Sequence, residues 1–341
     1  MSYIRNIGIG LLLILILILV SVSSAKPANA LINRPVAIIP SANNSGEALE
    51  IAPPLLYLTA DPGQSIIAKI YLRDISSGPL IVTGTADDFI SEGVNGTPKI
   101  LLHETAPDPY SLKNYVAPIQ SLLLQPKQIH ILNLVLNVPS NASPGGHYGV
   151  IRFTATPPSL NGGNGVALSA SLGALVLLTV TGKIVENLVV NQFNAGQNGK
   201  SGDFFESAPL QITEILKNTG NEHVQPTGLL TLTDMFGHKL VVMDINRRQG
   251  NILPNSLRKF TQNINKNVIG SKRLFGRYTA SVSIQYGSAK KTLNATMIFW
   301  VIPIKEIAIL LIGLIGGFFL LRVLIRRYNR HILDNAKKKS K

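Results

Sequence analysis

Cysteine is absent from the 341 residues. That excludes a disulfide framework, a thiol nucleophile and any cysteine metal site. An exported domain without disulfides must be held by its apolar core, so it needs ordinary domain size. Catalytic signatures are absent as well: there is no G-x-S-x-G elbow, H-E-x-x-H helix, P-loop or dinucleotide fingerprint. His103, His130, His147, His223 and His238 are scattered over separate segments without ligand spacing, so no metal is expected. Asp61 and Asp87-Asp88 lack the surrounding loop of an EF-hand and read as solvated turn residues. No cofactor is implied. The paired carboxylates of a glycosidase leave no local trace, so an envelope hydrolase remains the last of three functional readings.

An arginine-rich stripe is missing too, although the formal net charge is +14 and the pI about 9.9. The excess sits at the ends. Residues 322–341 hold eight Lys and Arg against Asp334, which makes +7, and Arg5 with Lys26 contributes +2. Only +5 of the +14 is left for residues 27–321, so nucleic acid is not an expected partner.

Those ends carry the clearest signals. Arg5 precedes an uncharged run from Ile7 to Val20, and small residues lead to Ala28-Asn29-Ala30. This is the pattern of a secretory signal peptide, residues 1–30, cut after Ala30; retention as a second anchor is the alternative. Near the other end, Ile307–Leu321 has no polar side chain, and Val323-Leu324-Ile325 extend the run past Arg322. Roughly 20 such residues span about 30 Å of hydrocarbon, which predicts a membrane helix over 303–325. Trp300 stands where an aromatic-belt residue would face the outer headgroups, and Arg322 can snorkel to the inner ones. Arg326 and Arg327 begin the basic tail, 326–341, which together with Arg322 marks the side that the positive-inside rule places in the cytoplasm. The expected location is a single pass through the cell membrane, with the N-terminal region extracytoplasmic.

Leu31 to Pro303 is 273 residues, enough for two domains. Long helical periodicity is lacking there; short alternating runs bounded by Gly, Pro, Asn and Asp recur instead. Ser65–Leu72 places Ile66, Ala68, Ile70 and Leu72 on one face. Ile129–Val138 does the same with Leu132, Leu134, Leu136 and Val138. Tyr278–Tyr286 alternates Tyr278, Ala280, Val282, Ile284 and Tyr286 with polar residues. Further strands are expected at Leu80–Asp87, Tyr148–Ala155, Val166–Val180, Glu186–Phe193, Leu210–Lys217, Gly228–Thr233, Lys239–Asn246 and Lys291–Trp300. Asp234-Met235-Phe236-Gly237 should turn a hairpin. One face packed and one face wet is the pattern of an antiparallel sandwich.

A weak repeat suggests two such units. Leu124-Gln125-Pro126 precedes one strand and Gly146-His147-Tyr148 opens the next; Leu253-Pro254-Asn255 and Gly276-Arg277-Tyr278 do likewise. Tyr148 and Tyr278 are candidate tyrosine corners, in which the hydroxyl bonds back to the backbone. The predicted fold is therefore all-β: two tandem immunoglobulin-like sandwiches, 31–183 and 184–302, with a boundary near Gly182–Glu186.

Tyr57-Leu58, Asp61-Pro62-Gly63-Gln64-Ser65, Gly145-Gly146-His147-Tyr148-Gly149, Asn218-Thr219-Gly220-Asn221 and Gly276-Arg277-Tyr278, in this order of parts, resemble the WxL-interacting protein family of bacterial surfaces. The resemblance implies a first sandwich associated with peptidoglycan and a second associated with a partner protein. No ligand-contacting residue carries over. The expected function is non-enzymatic: attachment to peptidoglycan or another envelope polymer, or to a surface protein. An adaptor subunit of a larger membrane complex is the alternative. Lys69, Tyr71 and Arg73, on the polar side of one strand, are candidates to meet sugar hydroxyls or carboxylates, or simply a solvated face.

Overall fold

Alternating runs become strands in this computed structural model, which describes residues 49–102, 104–107, 109–158, 170–208, 210–270 and 274–339. The expected signal peptide and its cleavage site, His103, and the loop 159–165 lie outside the described residues. β1 (Leu49–Ala52), β3 (Ser65–Asp74) and β7 (Ile129–Asn137) form a three-stranded antiparallel sheet in the order β1-β3-β7. Facing it are β2 (Leu55–Ala60), β4 (Leu80–Glu92), β5 (Thr97–Leu101), β8 (Gly145–Thr156) and β9 (Ala170–Val180), in the order β2-β9-β8-β4-β5, with β6 (Leu122–Leu124) added on β4. Ile70, Leu72, Leu134 and Leu136 from the first sheet meet Val82, Ile151, Phe153, Val176 and Leu178 from the second. Each such side chain is essentially sealed from water, a gain of about 1.5–3 kcal/mol apiece. Pro53-Pro54 separates β1 from β2, since proline offers no N–H to a ladder. The chain changes sheets there, and β2 runs parallel to β9.

The second set of strands repeats the plan. β10 (Leu188–Gln197), β11 (Lys200–Ser201), β13 (Leu210–Asn218) and β16 (Leu257–Ile264) form one sheet, ordered β11-β10-β13-β16. β12 (Phe204–Phe205), β14 (Thr227–Thr233), β15 (Lys239–Ile245), β17 (Gly276–Tyr286) and β18 (Lys291–Val301) form the other, ordered β12-β18-β17-β14-β15. Leu210, Ile212, Leu216, Leu232, Ala280, Ile284, Phe299 and Val301 fill the space between them. The hairpin at Asp234–Gly237 forms as expected: Gly237 takes φ +88°, and the Asp234 carboxylate accepts the N–H groups of Phe236 and His238 at 2.9 Å each. α1 (Lys266–Ile269) is a single turn capped by Asn265. Among the described residues no strand is shared between the two pairs of sheets, so the fold is two tandem β-sandwiches.

α2 (Ile304–Lys339) follows β18 after only Ile302-Pro303. Its stretch Ile304–Arg330 is long and apolar enough to cross a membrane, and its most apolar part is not buried against any of the described residues. Arg322, Arg326 and Arg327 are exposed on the same unbroken helix, which runs on into the basic tail.

Two local expectations need correction. Asp87 and Asp88 are not a solvated turn but lie inside β4. Asp87 pairs with Arg152 at 2.7 Å. Asp88 has no solvent exposure and accepts four hydrogen bonds, from Ala106 N, Ser111 Oγ, Leu112 N and Lys113 N, at 2.7–2.9 Å. A carboxylate so served pins a stretch of otherwise irregular backbone to the sheet. The two tyrosines also differ. Tyr278 is a corner: its hydroxyl accepts from Phe275 N at 2.9 Å and donates to Phe275 O at 3.2 Å, and its ring stacks on Phe299. Tyr148 makes no such return bond and belongs to a different cluster.

Candidate functional site

That cluster lies where the sandwiches meet. β8 is buried on both faces from Gly145 to Ile151, against the alternation usual in a sandwich strand, because one face lines its own core and the other meets the second sandwich. Phe89, Tyr148 and Leu177 from the first sandwich close around Leu253 from the second, with Leu55, Tyr110 and Leu175 at the edge. His223 is held between aromatic rings, stacked on Tyr57 at 5.7 Å and edge-on to Tyr148 at 5.9 Å. Its Nδ1 lies against the carboxylate of Glu222, itself buried. Burial first, and then the Glu222 charge, push the Tyr148 hydroxyl well above its ordinary pKa, so it stays neutral.

Asn221 is the hinge pin. Its backbone carbonyl accepts Gly146 N at 2.8 Å, and its Nδ2 donates to Pro144 O and Lys183 O at 3.0 Å. Its Oδ1 accepts Val185 N at 2.7 Å. Gly145 and Gly146 make this approach possible. Gly145 has φ +120°, and a Cβ there would stand 2.4 Å from Asn221 O; a Cβ on Gly146 would stand 1.7 Å from the Tyr148 hydroxyl. Three more bonds cross the junction: Asn251 Nδ2 to Tyr57 Oη at 2.7 Å, Asn255 Nδ2 to Tyr110 Oη at 3.2 Å, and Lys259 N to Val94 O at 2.6 Å. The connecting segment is tied as well, since Glu186 accepts from Ser288 N and Oγ at 2.9 Å. Relative motion of the sandwiches would break most of these bonds together.

Beside this seam a cleft of about 240 Å³ opens between the sandwiches. Its floor is apolar, made by Leu55, Phe89, Leu175, Leu177 and Leu253, and half-exposed Tyr57 forms a wall. Arg248 and Arg258 line the other side. Arg258 donates to Asn251 O at 2.7 Å, and partial burial lowers its pKa without discharging it. Among the described residues, neither arginine has a carboxylate within ion-pair distance. The cleft therefore offers positive charge beside a dry floor and an aromatic edge, which suits an anion carrying an apolar or flat group.

The residues singled out in the sequence distribute unevenly. Tyr57, Gly145–Gly149 and Asn218–Asn221 come together at the junction. Asp61–Ser65 lies elsewhere in the first sandwich, and Gly276–Tyr278 in the second. Lys69, Tyr71 and Arg73 share the exposed face of β3 with Ile67, and across the register with Ile129 and Ile131 on β7. His147 turns both ring nitrogens to carbonyls, Ser111 O and Ser143 O, so neither faces an open site. Among the described residues no cluster of three His, Asp or Glu could hold a metal. Phe89, Glu222, His223, Arg248, Asn251 and Arg258 carried no sequence signal toward this site; Phe89 lies on the inner strand β4 and the others on irregular or edge segments, and all meet neighbours distant in the chain.

No family model and no curated protein matches the chain by sequence. Solved structures similar to it include the class 5 fimbrial chaperone CfaA, at 14% identity over 74% of this chain and 99% of that one, with a TM-score of 0.39. The YadV chaperone is similar at 11% over 74% and 99%, with a TM-score of 0.37, and the E. coli chaperone DraB at 14% over 75% and 98%, with 0.33. At these values the likeness adds nothing to what the sheets themselves define.

Proposed function

We propose that this chain is a membrane-anchored, extracytoplasmic binding protein without catalytic activity, which holds an envelope polymer or a surface protein close to the bilayer. The observation that supports it is the junction cleft: two arginines without carboxylate partners among the described residues face an apolar floor and Tyr57, between sandwiches fixed to one another and followed by a helix apolar and long enough to span a membrane. Peptidoglycan stem peptides carry carboxylates beside small apolar groups, and the cleft matches that chemistry. The signal peptide and the basic tail support an orientation with the sandwiches outside and the C-terminus in the cytoplasm. The resemblance to WxL-interacting proteins agrees with a wall-associated role, but the proposed contact is the junction rather than the first sandwich alone. Membrane confinement makes weak contacts sufficient, because many copies on one surface add by avidity.

The test is co-sedimentation of the full chain, in nanodiscs, with isolated cell wall over a range of salt. Retention that falls with salt, and falls again in Arg248→Ala and Tyr57→Ala, supports the proposal. Arg248 is exposed and makes no ion pair among the described residues, so its loss should leave the fold intact. Wild-type protein that stays in solution like empty nanodiscs refutes it.

A protein partner is the second reading, favoured by the outer face of β1-β3-β7. Ile67, Tyr71, Ile129 and Ile131 lie exposed there as neighbours. Capture of a surface protein that Ile67→Ser with Ile131→Ser abolishes, without wall retention, would favour this reading over the first.

A further inference from the structure

All three exposed phenylalanines outside α2 (Phe204, Phe236 and Phe275) and the chain's one tryptophan, Trp300, gather at one end of the second sandwich. β12 places Phe204 in register beside Trp300, and Trp300 pairs with Arg277. Phe275 leads into Gly276 at the start of β17. The hairpin bearing Met235 and Phe236 folds against the same point, since a Cβ on Gly276 would stand 2.8 Å from Met235 Cε. Phe236 is 74% exposed and Phe204 71% exposed. Exposed apolar residues are ordinary when scattered; a cluster at one end is not.

α2 leaves from this same end. Ile302-Pro303 is the whole connection, at most about 7 Å of chain. Lys305 in the first helical turn pairs with Glu206, next to β12, at 3.1 Å. A bilayer crossed by α2 therefore begins within a turn or two of the aromatic rim. The geometry points to a second membrane contact: the rim formed by Phe204, Phe236, Phe275 and Trp300 seats in the lipid headgroup zone. This rests on the reading that α2 spans the bilayer. Aromatic rings with one dry side favour the headgroup layer on any lipid, and zwitterionic membranes suffice.

One tryptophan and no cysteine make the test direct. The full chain is reconstituted in phosphatidylcholine vesicles containing lipids with a nitroxide placed either shallow or deep in the acyl chain. An environment-sensitive dye is attached to Phe204→Cys, Phe236→Cys, Tyr71→Cys or Ile312→Cys. Trp300 and the dyes at 204 and 236 should be quenched severalfold more by the shallow nitroxide than the dye at 71, at low and high salt alike. The dye at 312 should respond most to the deep one. Dyes at 204 and 236 that aqueous iodide quenches as strongly as that at 71, while 312 still reads deep, overturn the seated rim. A dye at 312 that reads as aqueous overturns the spanning helix, and the rim falls with it.

Discussion

Glu214 should make the second sandwich lose stability as the pH rises from mildly acidic to mildly alkaline. It lies on β13 with no solvent exposure, between Phe193 on β10 and Phe260 on β16 in register. Burial raises its pKa from 4.5 to about 8, and the Gln262 side chain offsets this only in part. The folded state then holds a proton that the unfolded state has already released. Stability is complete below about pH 4.5, declines through the interval up to about pH 8, and is level beyond it. A difference of 3.5 pKa units at 1.36 kcal/mol each gives an upper figure of about 5 kcal/mol, comparable with the whole stability of many domains. Glu214→Gln has nearly the same shape and no titration. Calorimetry of the full chain in detergent between pH 5 and 8.5 should show a wild-type transition that falls with pH. The variant should lack that part of the slope, so the two separate by about 10 °C or more at pH 8.5. Every other group is the same in the two proteins, so the difference between the curves belongs to residue 214. Parallel curves across the whole range would refute the argument, because they would mean the carboxyl is ionised or hydrated in the folded protein.

Tyr278→Phe should lower the melting temperature modestly, by the loss of two hydrogen bonds of about 1 kcal/mol each, and Tyr278→Ala strongly, by about 3–5 kcal/mol. Gly146→Ala should destabilise the chain through contact with the Tyr148 hydroxyl, and Tyr148→Phe should recover part of that cost in a double-mutant cycle. Additive effects there would show that the two residues do not touch. Asn221→Ala removes three side-chain bonds at the seam and should split one calorimetric transition into two; hydrogen exchange at Gly146 and Val185 would rise in step.

Strands that keep one face wet could be read directly from the sequence. In β3, β7 and β17 the alternation names the inward set residue by residue, because the pleat forces neighbours to opposite faces. β2 escaped notice because Leu55-Leu56-Tyr57-Leu58 barely alternates. It lies parallel beside β9 and turns Tyr57 toward the second sandwich, so neither face is plainly wet. β8 was legible as a strand but not as a seam, since a run buried on both sides looks the same whatever covers it. The candidate site was legible only in Tyr57 and in the motifs Gly145–Gly149 and Asn218–Asn221. Tyr57 and Asn251 are 194 residues apart, and Tyr110 and Asn255 are 145 apart. Local spacing cannot register such meetings. Asp88 illustrates the same limit: its four donors come from a segment with almost no regular structure, so nothing nearby announces a buried carboxylate.

The two-residue connection between β18 and α2 has a mechanical consequence. An anchored binding domain usually hangs on a tether, and a pull on it first straightens slack chain. Here Ile302-Pro303 holds no slack, and the seam at Asn221 leaves little compliance between the sandwiches. A load applied at the far sandwich therefore reaches the bilayer as a bending moment on α2 rather than as extension of a linker. The membrane itself becomes the soft element, and a partner moving sideways over the cell surface would tilt the helix.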